Sequence, residues 1–447
     1  MLEEVVLLAK LKRQHMSVKW HDIIKKDNSI PATEATLKEK ATLVGRFGIM
    51  MLSVGTGAWR VRNAMNTVSR GLGVSCSADI GLLSVEYTCI EGDDTYTCSL
   101  SIPNTGVNTD KLMDLELFMN DFENLAGDCS VSQIHKVLDH IQDKKENYNA
   151  VTAGLAAAIA CGAFTFLLGG GPVEMIGAFL GAGAGNFVRK KMIQRKISLF
   201  GNVGVSVAVS CFVYVIAILA SQSLLGISNV HQAGYICAML FVIPGFPLIT
   251  GGIDMAKLDM RSGLERTAYA ILIITVATMT GYAAATLFHF QPADFPELEI
   301  ETGLKAVLRI IASFFGVYNF SLMFNSPRKM ALTAGLIGML TNTLRLELID
   351  LAGIPVGIAA FIGAFCTGCI ASVVNKKLGF PRISLTVPAI VIMVPGLYMY
   401  RGIYHMGLSN VGDGALWLTK ALLIVVALPL GLVASRLCTD ENFRHCT

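Results

Sequence analysis

The stretch LFVIPGFPLITGGI (residues 240–253) is an apolar run that Pro-Gly breaks in its middle. The same pattern returns about 150 residues later as VIMVPGLYMYRGI (residues 391–403). After each copy come a short polar segment and another long apolar run. Because proline has no N–H to donate and clashes with the preceding helical turn, each copy predicts an interrupted helix. The repetition predicts that two parts of the chain share one design.

The composition of the chain indicates a membrane domain attached to a soluble one. Of its 447 residues, 53% are hydrophobic and 15% are charged, and the mean hydropathy is +0.57. Soluble proteins carry about 25% charged residues. Charge is concentrated in residues 1–148, and long apolar runs alternate with short polar breaks from Ala150 onward. Eleven scattered cysteines without disulfide spacing suit a reducing compartment.

Ten apolar segments approach the roughly 20 residues that a membrane-crossing helix needs. Lys and Arg concentrate in alternate links between them, as expected if residues 1–148 and the C-terminus are cytoplasmic, with Arg345 and Arg401 as exceptions. The start of the chain lacks the pattern of a signal peptide, which favours the same orientation. The predicted spans are residues 150–169, 172–188, 201–222, 232–251, 265–288, 303–324, 330–348, 354–374, 384–401 and 414–435.

The interrupted segments are the fourth and ninth of these spans. They lie five spans apart, and because five is odd, the two halves are predicted to cross the membrane in opposite directions. The predicted fold is therefore an α-helical polytopic membrane protein of 5+5 inverted repeats with broken Pro-Gly helices. The predicted domains are an N-terminal extension (1–33), a cytoplasmic α+β domain (34–148), two five-helix membrane repeats (149–290 and 301–437) and a C-terminal tail (438–447).

The breaks are also the predicted binding site. In lipid, a broken helix is tolerated where its freed backbone groups face protein or a wet cavity. A half-helix that begins at the break points its positive end into that cavity, where a substrate carboxylate can bind. The predicted substrate-binding residues are Pro244, Gly245, Thr250, Asn319, Asn342, Pro395 and Gly396, and the predicted proton-coupling residues are Asp254 and Glu347.

Structural roles compete with each of these assignments. A single proline in a membrane helix is often a packing kink, and Asn and Thr often hold neighbouring helices together. Glu347 has the alternative of an interfacial pair with Arg345, and Asp254 that of a solvated loop. Glu174, near the outer end of the second span, has the same two alternatives as Asp254: it carries a coupling proton, or it lies in a solvated loop. The glycines Gly177, Gly181 and Gly185 predict a close-packed helix face without a chemical role.

The motifs of other function classes are missing from the sequence. GAGAGN (residues 181–186) follows no strand, and there is no phosphate-binding G-x-x-x-x-G-K-[ST]. Cys366 and Cys369 form a C-x-x-C inside an apolar helix and are predicted core residues. The sequence therefore predicts no catalytic residues, no metal, no cofactor and no nucleic-acid partner. The predicted partners are a small-molecule substrate, protons and the lipid bilayer, and the oligomeric state, a homo-oligomer included, stays open.

Residues 34–148 predict a small α+β module. Two helices over residues 34–71 join at residues 53–57, a strand region with a turn at residues 91–94 follows, and two more helices cover residues 110–126 and 130–147. Ser53 and His135 invite the alternative of a membrane-anchored hydrolase. No G-x-S-x-G surrounds Ser53, so a regulatory or gating module is favoured.

Four stretches resemble the threonine/serine exporter family in its single-chain form with both halves fused. SVGTGAWRVRNAMNTVSRGLGV (residues 53–74) resembles the first signature of the family, and PGFPLITGGIDMAKLDMRSGLERTAYAILI (residues 244–273) resembles the second. NFSLMFNSPRKMALTAGLIG (residues 319–338) and VPGLYMYRGI (residues 394–403) resemble its C-terminal half. The similarity extends from about residue 40 onward.

This resemblance implies a multi-pass exporter of L-threonine and L-serine in the bacterial inner membrane, driven by the proton gradient. It also implies a cytoplasmic N-terminal domain that is sometimes described as hydrolase-like. Relatives that split the two halves into separate chains are associated with succinate export, so a small dicarboxylate is the alternative substrate. A channel is a further alternative from the residues alone.

Overall fold

The computed structural model describes residues 18–24, 30–226, 229–296 and 298–444. Helices account for 75% of the described residues, which confirms the prediction of a mostly helical protein. The chain forms two compact units, of which the first ends at Lys145 and the second begins at Glu146. Residues 1–17 and 25–29 of the predicted N-terminal extension, and residues 445–447 of the predicted tail, lie outside the described residues.

The first unit combines helices with a three-stranded antiparallel sheet. Its elements are α1 (Trp20–Ile23), a 3-10 turn (Ala32–Glu34), α2 (Leu37–Ser53), α3 (Ala58–Gly71), β1 (Ser75–Ile80), β2 (Ser84–Glu91), β3 (Asp94–Ser101), α4 (Thr109–Asn120), α5 (Phe122–Asp128) and α6 (Val131–Asp143). Helix α2 packs against β2 and β3. Gly45 lets the two approach closely, because a Cβ there would lie 2.2 Å from the Tyr87 hydroxyl.

The hairpin between β2 and β3 turns at Gly92, whose φ of 59° is a left-handed conformation that suits glycine. This turn lies inside the predicted segment 91–94. The helix predicted over residues 110–126 is instead split, because Asp121 adopts φ −102° and ψ 6° between α4 and α5. The break directs Phe122 into the core, where a Cβ on Gly71 would lie 2.9 Å from its ring. The single long helix is therefore a wrong prediction, corrected by this packing contact.

All regular elements among the described residues of the second unit are helices. Its elements are α7 (Ala150–Leu167), α8 (Pro172–Gln194), α9 (Leu199–Leu225), a 3-10 turn (Asn229–Gly234), α10 (Tyr235–Ala238), a 3-10 turn (Leu240–Val242), α11 (Gly245–Ala256), α12 (Met260–Phe288), α13 (Thr302–Met323), α14 (Arg328–Asp350), α15 (Val356–Leu378), α16 (Arg382–Val391), α17 (Gly396–Gly407), α18 (Val411–Thr439) and α19 (Glu441–Arg444).

Six described helices are long and apolar enough to cross a membrane. Two bent pairs raise this number to eight when each counts as one span: His231–Val242 with α11, bent by 57°, and α16 with α17, bent by 50°. Helices α8 and α14 have 23 residues each and are not among them. Both carry charged residues toward their ends, which lowers their apolar character. The protein is thus a polytopic helical membrane protein, and the count of ten stays a prediction.

The glycine stripe of α8 is a packing surface. A Cβ on Gly181 would lie 2.7 Å from the carbonyl oxygen of Ser210, and one on Gly185 would lie 2.3 Å from the hydroxyl of the same serine. A Cβ on Gly177 would lie 2.6 Å from the ring of Tyr214. Both contacted residues belong to α9, so the stripe brings α8 and α9 close together, as small residues do between membrane helices.

A buried histidine makes the first unit sensitive to acid. His135 is fully buried, and burial together with the charge of Arg46 lowers its pKa to about 3 from an ordinary 6.5. The folded state therefore holds a neutral ring, while the unfolded chain takes up a proton below pH 6.5. The stabilisation from this ring should be complete above pH 6.5 and lost as the pH falls toward 3, with a slope of at most about 1.4 kcal/mol per pH unit.

We expect His135→Gln to flatten this part of the pH dependence of thermal unfolding, measured on the purified full chain between pH 7 and pH 4. His140→Gln is the matched control, since His140 lies on the same helix with an exposed side chain. The control should keep the pH dependence of the wild type. Parallel curves for His135→Gln and the wild type would contradict the expectation.

Candidate functional site

The two Pro-Gly breaks have nearly the same backbone geometry. Pro244 has φ −81° and ψ 60°, and Pro395 has φ −82° and ψ 53°, so neither proline is helical. The N–H of Gly245 donates to the Ile243 carbonyl at 2.8 Å, and Gly396 makes the equivalent bond at 2.9 Å. The helices that follow, α11 and α17, both have 12 residues. The repeated sequence pattern thus forms the same local structure twice.

The two breaks also face each other. A Cβ on Gly245 would lie 2.4 Å from a methyl carbon of Val391, just before the second break. A Cβ on Gly396 would lie 2.8 Å from a methyl carbon of Leu240, just before the first break. Each glycine therefore allows its own half-helix to approach the apolar segment that precedes the other proline. The predicted residues Pro244, Gly245, Pro395 and Gly396 come together at one place.

A narrow apolar cavity lies where the breaks meet. The rings of Phe164 from α7 and Phe320 from α13 meet edge to face, with centroids 6.5 Å apart. No polar side chain is among the described residues that line the cavity, so any polar recognition must come from groups around it. The lining residues are Phe164, Leu240, Ile243, Phe320, Val391, Val394 and Gly396.

Two of the predicted substrate-binding residues make side-chain hydrogen bonds within their own helices. The Thr250 hydroxyl donates to the Phe246 carbonyl at 3.0 Å, and the Asn319 amide donates to the Phe315 carbonyl at 2.8 Å. Both side chains are buried. This i to i−4 bonding is the common way in which a helix satisfies a polar side chain in an apolar setting. These bonds use the Thr250 hydroxyl hydrogen and one Asn319 amide hydrogen, so a substrate donor can still bind their side-chain oxygens.

Asn342 differs from these two residues. It is fully buried, and its amide nitrogen donates to the Ser313 hydroxyl on α13 at 2.9 Å. Its side-chain oxygen has no hydrogen-bond partner among the described residues. A buried acceptor without a donor is unfavourable by about 1–3 kcal/mol, so this oxygen is available to a ligand donor.

Asp254 lies in a buried ion pair and not in a solvated loop. Its carboxylate is 3.2 Å from the Arg266 guanidinium and accepts from the Ser262 hydroxyl at 3.0 Å. Asp254 and Arg266 are 1% and 2% exposed, so their charges are withdrawn from water together. The loop interpretation of Asp254 is therefore wrong. Removing one partner of such a pair leaves a buried charge uncompensated.

Glu347 pairs with a different arginine from the one that sequence proximity indicates. Its carboxylate accepts from Arg309 of α13 at 2.9 Å, and the same guanidinium also binds Asp350. Arg345 instead donates to the carbonyl of Met393 at 3.3 Å. Glu347 and Asp350 thus form one charged cluster with Arg309, near the end of α14.

One buried carboxylate gains a partner that the sequence did not indicate. Glu174 is fully buried, and one of its oxygens accepts from the Gly171 N–H at 3.0 Å at the start of α8. Its other oxygen lies 2.7 Å from the His231 ring nitrogen, while the Tyr214 hydroxyl donates to the His231 carbonyl at 2.6 Å. His231 follows α9 in the chain, so only the packing of α9 against α8 brings these groups together.

The first unit does not assemble the residues of the hydrolase alternative. The Ser53 hydroxyl donates to the Met50 carbonyl at 2.7 Å. The two ring nitrogens of His135 lie 3.0 Å from Arg46 and 3.3 Å from Thr42, so neither nitrogen is available to activate Ser53. Ser53 and His135 therefore do not form a nucleophile and base pair.

An open cavity of about 390 Å³ does lie in the first unit. Its deepest charge, Arg46, is already held by Asp139 at 2.5 Å and by Gln142 at 2.9 Å. The cavity therefore offers no uncompensated buried charge to a ligand. Its lining residues are Val18, Lys19, Trp20, His21, Asp22, Arg46, Asp139, Gln142 and Asp143.

Two family descriptions match the chain. The family described as "Putative threonine/serine exporter" matches residues 42–288, and the family described as "Threonine/Serine exporter, ThrE" matches residues 309–438. Together they include both Pro-Gly breaks. No solved structure shows a significant match to the chain.

Similar proteins carry two kinds of name. A "Probable threonine/serine exporter" of Mycobacterium tuberculosis (strain ATCC 25618 / H37Rv) is 23% identical over 414 residues, which are 87% of this chain and 74% of that protein. A "Probable succinate transporter subunit YjjP" of Escherichia coli (strain K12) is 24% identical over 242 residues, which are 53% of this chain and 90% of that protein. A subunit of the same name from Klebsiella aerogenes is 22% identical over 245 residues.

We expect Gly245→Ala to lower the thermal unfolding temperature of the purified full chain. The new methyl group would meet the β-branched Val391, which has little freedom to move away, and overpacking of this kind is destabilising by about 1–3 kcal/mol. Gly396→Ala should have a smaller effect, because it meets the flexible end of Leu240. Gly303→Ala, which has open space around it, is the control. Equal unfolding temperatures for Gly245→Ala and Gly303→Ala would contradict the close contact between the breaks.

Proposed function

Since the chain belongs to the threonine/serine exporter family, we propose that it exports L-threonine and L-serine from the cytoplasm through the bacterial inner membrane. The observation that carries this proposal is the contact between the two Pro-Gly breaks. Each break begins a half-helix whose amide end can receive a carboxylate, and backbone carbonyls before the prolines that accept from no other group can receive an ammonium group. A small zwitterion carries both groups.

We propose ten membrane spans, arranged as two inverted repeats of five. This proposal adds α8 and α14 to the eight spans that length and apolar character support. Several helix lengths recur in the two halves: 23 residues in α8 and α14, 12 in α11 and α17, and 29 in α12 and α18. With five spans in each half, the second half crosses the membrane in the opposite direction to the first.

Local geometry after the breaks supports the repeat. Leu258 and Ser409, which precede the 29-residue helices, have the unusual positive φ values of 64° and 61°. A Cβ on Gly263 would lie 2.4 Å from a side-chain carbon of Met255. The equivalent Cβ on Gly414 would lie 2.6 Å from the same carbon of Met406. Equal strain and equal close contacts at matched places favour two copies of one fold.

We propose that the N-terminal unit and the C-terminus are cytoplasmic and that the proton gradient drives export. The orientation rests on the alternation of Lys and Arg between links. Asp254 and Glu347 are the proposed proton-coupling residues, and each is paired with an arginine. Protonation of a paired carboxylate removes its charge and releases its arginine, so that proton binding is coupled to a conformational change.

A small dicarboxylate such as succinate is the second candidate substrate. The similarity to two succinate transporter subunits over 53% of the chain favours it. A dicarboxylate has no ammonium group, so it requires two cationic sites and not one. A membrane-anchored hydrolase is less well supported, because Ser53 and His135 of the first unit are engaged with other residues.

Counterflow in proteoliposomes tests the substrate. Vesicles that hold unlabelled threonine, serine, succinate or alanine receive a trace of the labelled compound outside. We expect accumulation of label with threonine and serine, increased by an imposed pH gradient. Vesicles without protein are the control. Accumulation with succinate alone would replace the proposed substrate by a dicarboxylate, and accumulation with none of the compounds would contradict a transporter and favour a channel or the hydrolase.

We expect Asp254→Asn to keep counterflow and lose the increase caused by the pH gradient, because exchange of substrate needs no net proton movement. Glu265→Gln is the matched control on α12, since it also removes one negative charge but from an exposed side chain. A full response of Asp254→Asn to the pH gradient would exclude this residue, and the same measurement on Glu347→Gln would then test the second candidate.

A further inference from the structure

Most buried arginines of the second unit have a carboxylate partner. Arg266 pairs with Asp254, Arg309 with Glu347 and Asp350, Arg382 with Asp440 and Arg401 with Asp294. Two partly buried arginines, Arg189 of α8 and Arg345 of α14, have no carboxylate partner among the described residues. Arg345 lies inside the predicted span 330–348, and Arg189 directly follows the predicted span 172–188. An arginine in or at the edge of a membrane span without a counter-ion is costly and is a functional-site hypothesis.

Both arginines lie beside a Pro-Gly break. The Arg189 guanidinium donates to the Phe241 carbonyl at 3.3 Å, and the Arg345 guanidinium donates to the Met393 carbonyl at 3.3 Å. These carbonyls lie in the segments that lead to Pro244 and Pro395, respectively. The two carbonyls lie three and two residues before their prolines, so the two arginines contact closely similar places at both breaks.

Most of the hydrogen-bonding capacity of these arginines is unused. A guanidinium has five N–H donors. Arg189 and Arg345 each make one long hydrogen bond to a backbone carbonyl. The Nε atoms of Arg189 and Arg345 are buried without a hydrogen-bond partner in the described part of the chain. A planar fork with free, buried donors matches the two oxygens of a carboxylate.

The two sites also correspond in their surroundings. Arg189 and Arg345 occupy the same position of two 23-residue helices, α8 and α14. Arg189 interacts electrostatically with Tyr269 of α12, and Arg345 interacts with Tyr398 of α17 and with Arg309. The Arg309 charge is already paired with Glu347 and Asp350, so Arg345 is the guanidinium of this region that has no carboxylate partner among the described residues. A capping role for one carbonyl would not require a charged fork twice at matched positions.

We propose that Arg189 and Arg345 are two matched carboxylate-binding residues that flank the paired breaks. The ligand class is a small carboxylate, either that of a hydroxy amino acid or one end of a dicarboxylate, and this identification rests on the proposed function. The cavity between the breaks is apolar, so these guanidinium groups supply the charge recognition that its lining lacks.

Ligand-induced thermal stabilisation of the purified full chain tests this proposal without transport. L-threonine, L-serine and succinate are the probes, and L-threoninamide and succinamide are their counterparts without a free carboxylate. We expect at least one of the carboxylates to raise the unfolding temperature in a saturable manner, and the amides to need at least tenfold higher concentration for the same shift.

Four variants separate recognition from structure. Arg189→Gln and Arg345→Gln should each weaken the apparent affinity for the carboxylate at least tenfold, and Arg189→Lys and Arg345→Lys should weaken it less, because charge remains without the planar fork. Without ligand, the glutamine variants should unfold at or above the wild-type temperature, because each removes a partly buried charge that has no carboxylate partner among the described residues. Arg328→Gln, an exposed arginine of α14, is the control and should bind as the wild type does.

The outcomes distinguish this inference from the proposed function. A wild type that binds a carboxylate but accumulates no label in counterflow would reject transport and keep the carboxylate sites, provided that the variants lose binding. A wild type stabilised by none of the carboxylates would overturn the sites. Unchanged affinity in both glutamine variants would also overturn the sites. A combined result would do so as well: lower unfolding temperatures in both glutamine variants and unchanged affinity in both lysine variants.

Discussion

The second unit depends on one constraint: a backbone group that leaves a helix within lipid must find another partner. Pro244 and Pro395 interrupt their helices in the same way, and Gly245 and Gly396 restore a local hydrogen bond two residues back. The Phe241 and Met393 carbonyls before the breaks accept hydrogen bonds from Arg189 and Arg345, and each break packs against the apolar segment that leads to the other. Lipid is thereby excluded from both breaks at once.

In this arrangement, apolar side chains line the cavity between the breaks, and the charged groups lie around it. The place where the breaks meet is apolar and narrow, and its lining supplies no polar recognition. The charged groups stand around it: Arg189 and Arg345 donate to carbonyls near the breaks, while Asp254 is paired with Arg266. A substrate that entered between the half-helices would meet backbone dipoles at the centre and guanidinium groups at the sides. Such a division suits alternating access, in which packing forms the gate and charge selects the ligand.

Pairing across helices explains where sequence-based prediction failed. Arg345 is two residues from Glu347, yet the two side chains point to different neighbours, since residues two apart lie on different faces of a helix. Thr250 and Asn319 are polar residues at membrane depth, but each is satisfied by its own helix. Glu174 and His231 are far apart in the sequence and meet through packing of α8 and α9. In each case the partner depends on an interhelical distance that no local pattern encodes.

The secondary-structure elements follow from local patterns of residues. The apolar runs mark the helices, Pro-Gly marks both interruptions, and Gly92 marks the hairpin turn, because these residues act through their own backbone and a few neighbours. The family assignment likewise follows from motifs that occur in order along the chain. Tertiary structure alone decided that the two breaks face each other, that Asp254 is buried with Arg266, and that Arg189 and Arg345 lack carboxylate partners in the described chain. These features depend on which helices pack together, because the counter-ion of a buried charge comes from a helix that is distant in sequence.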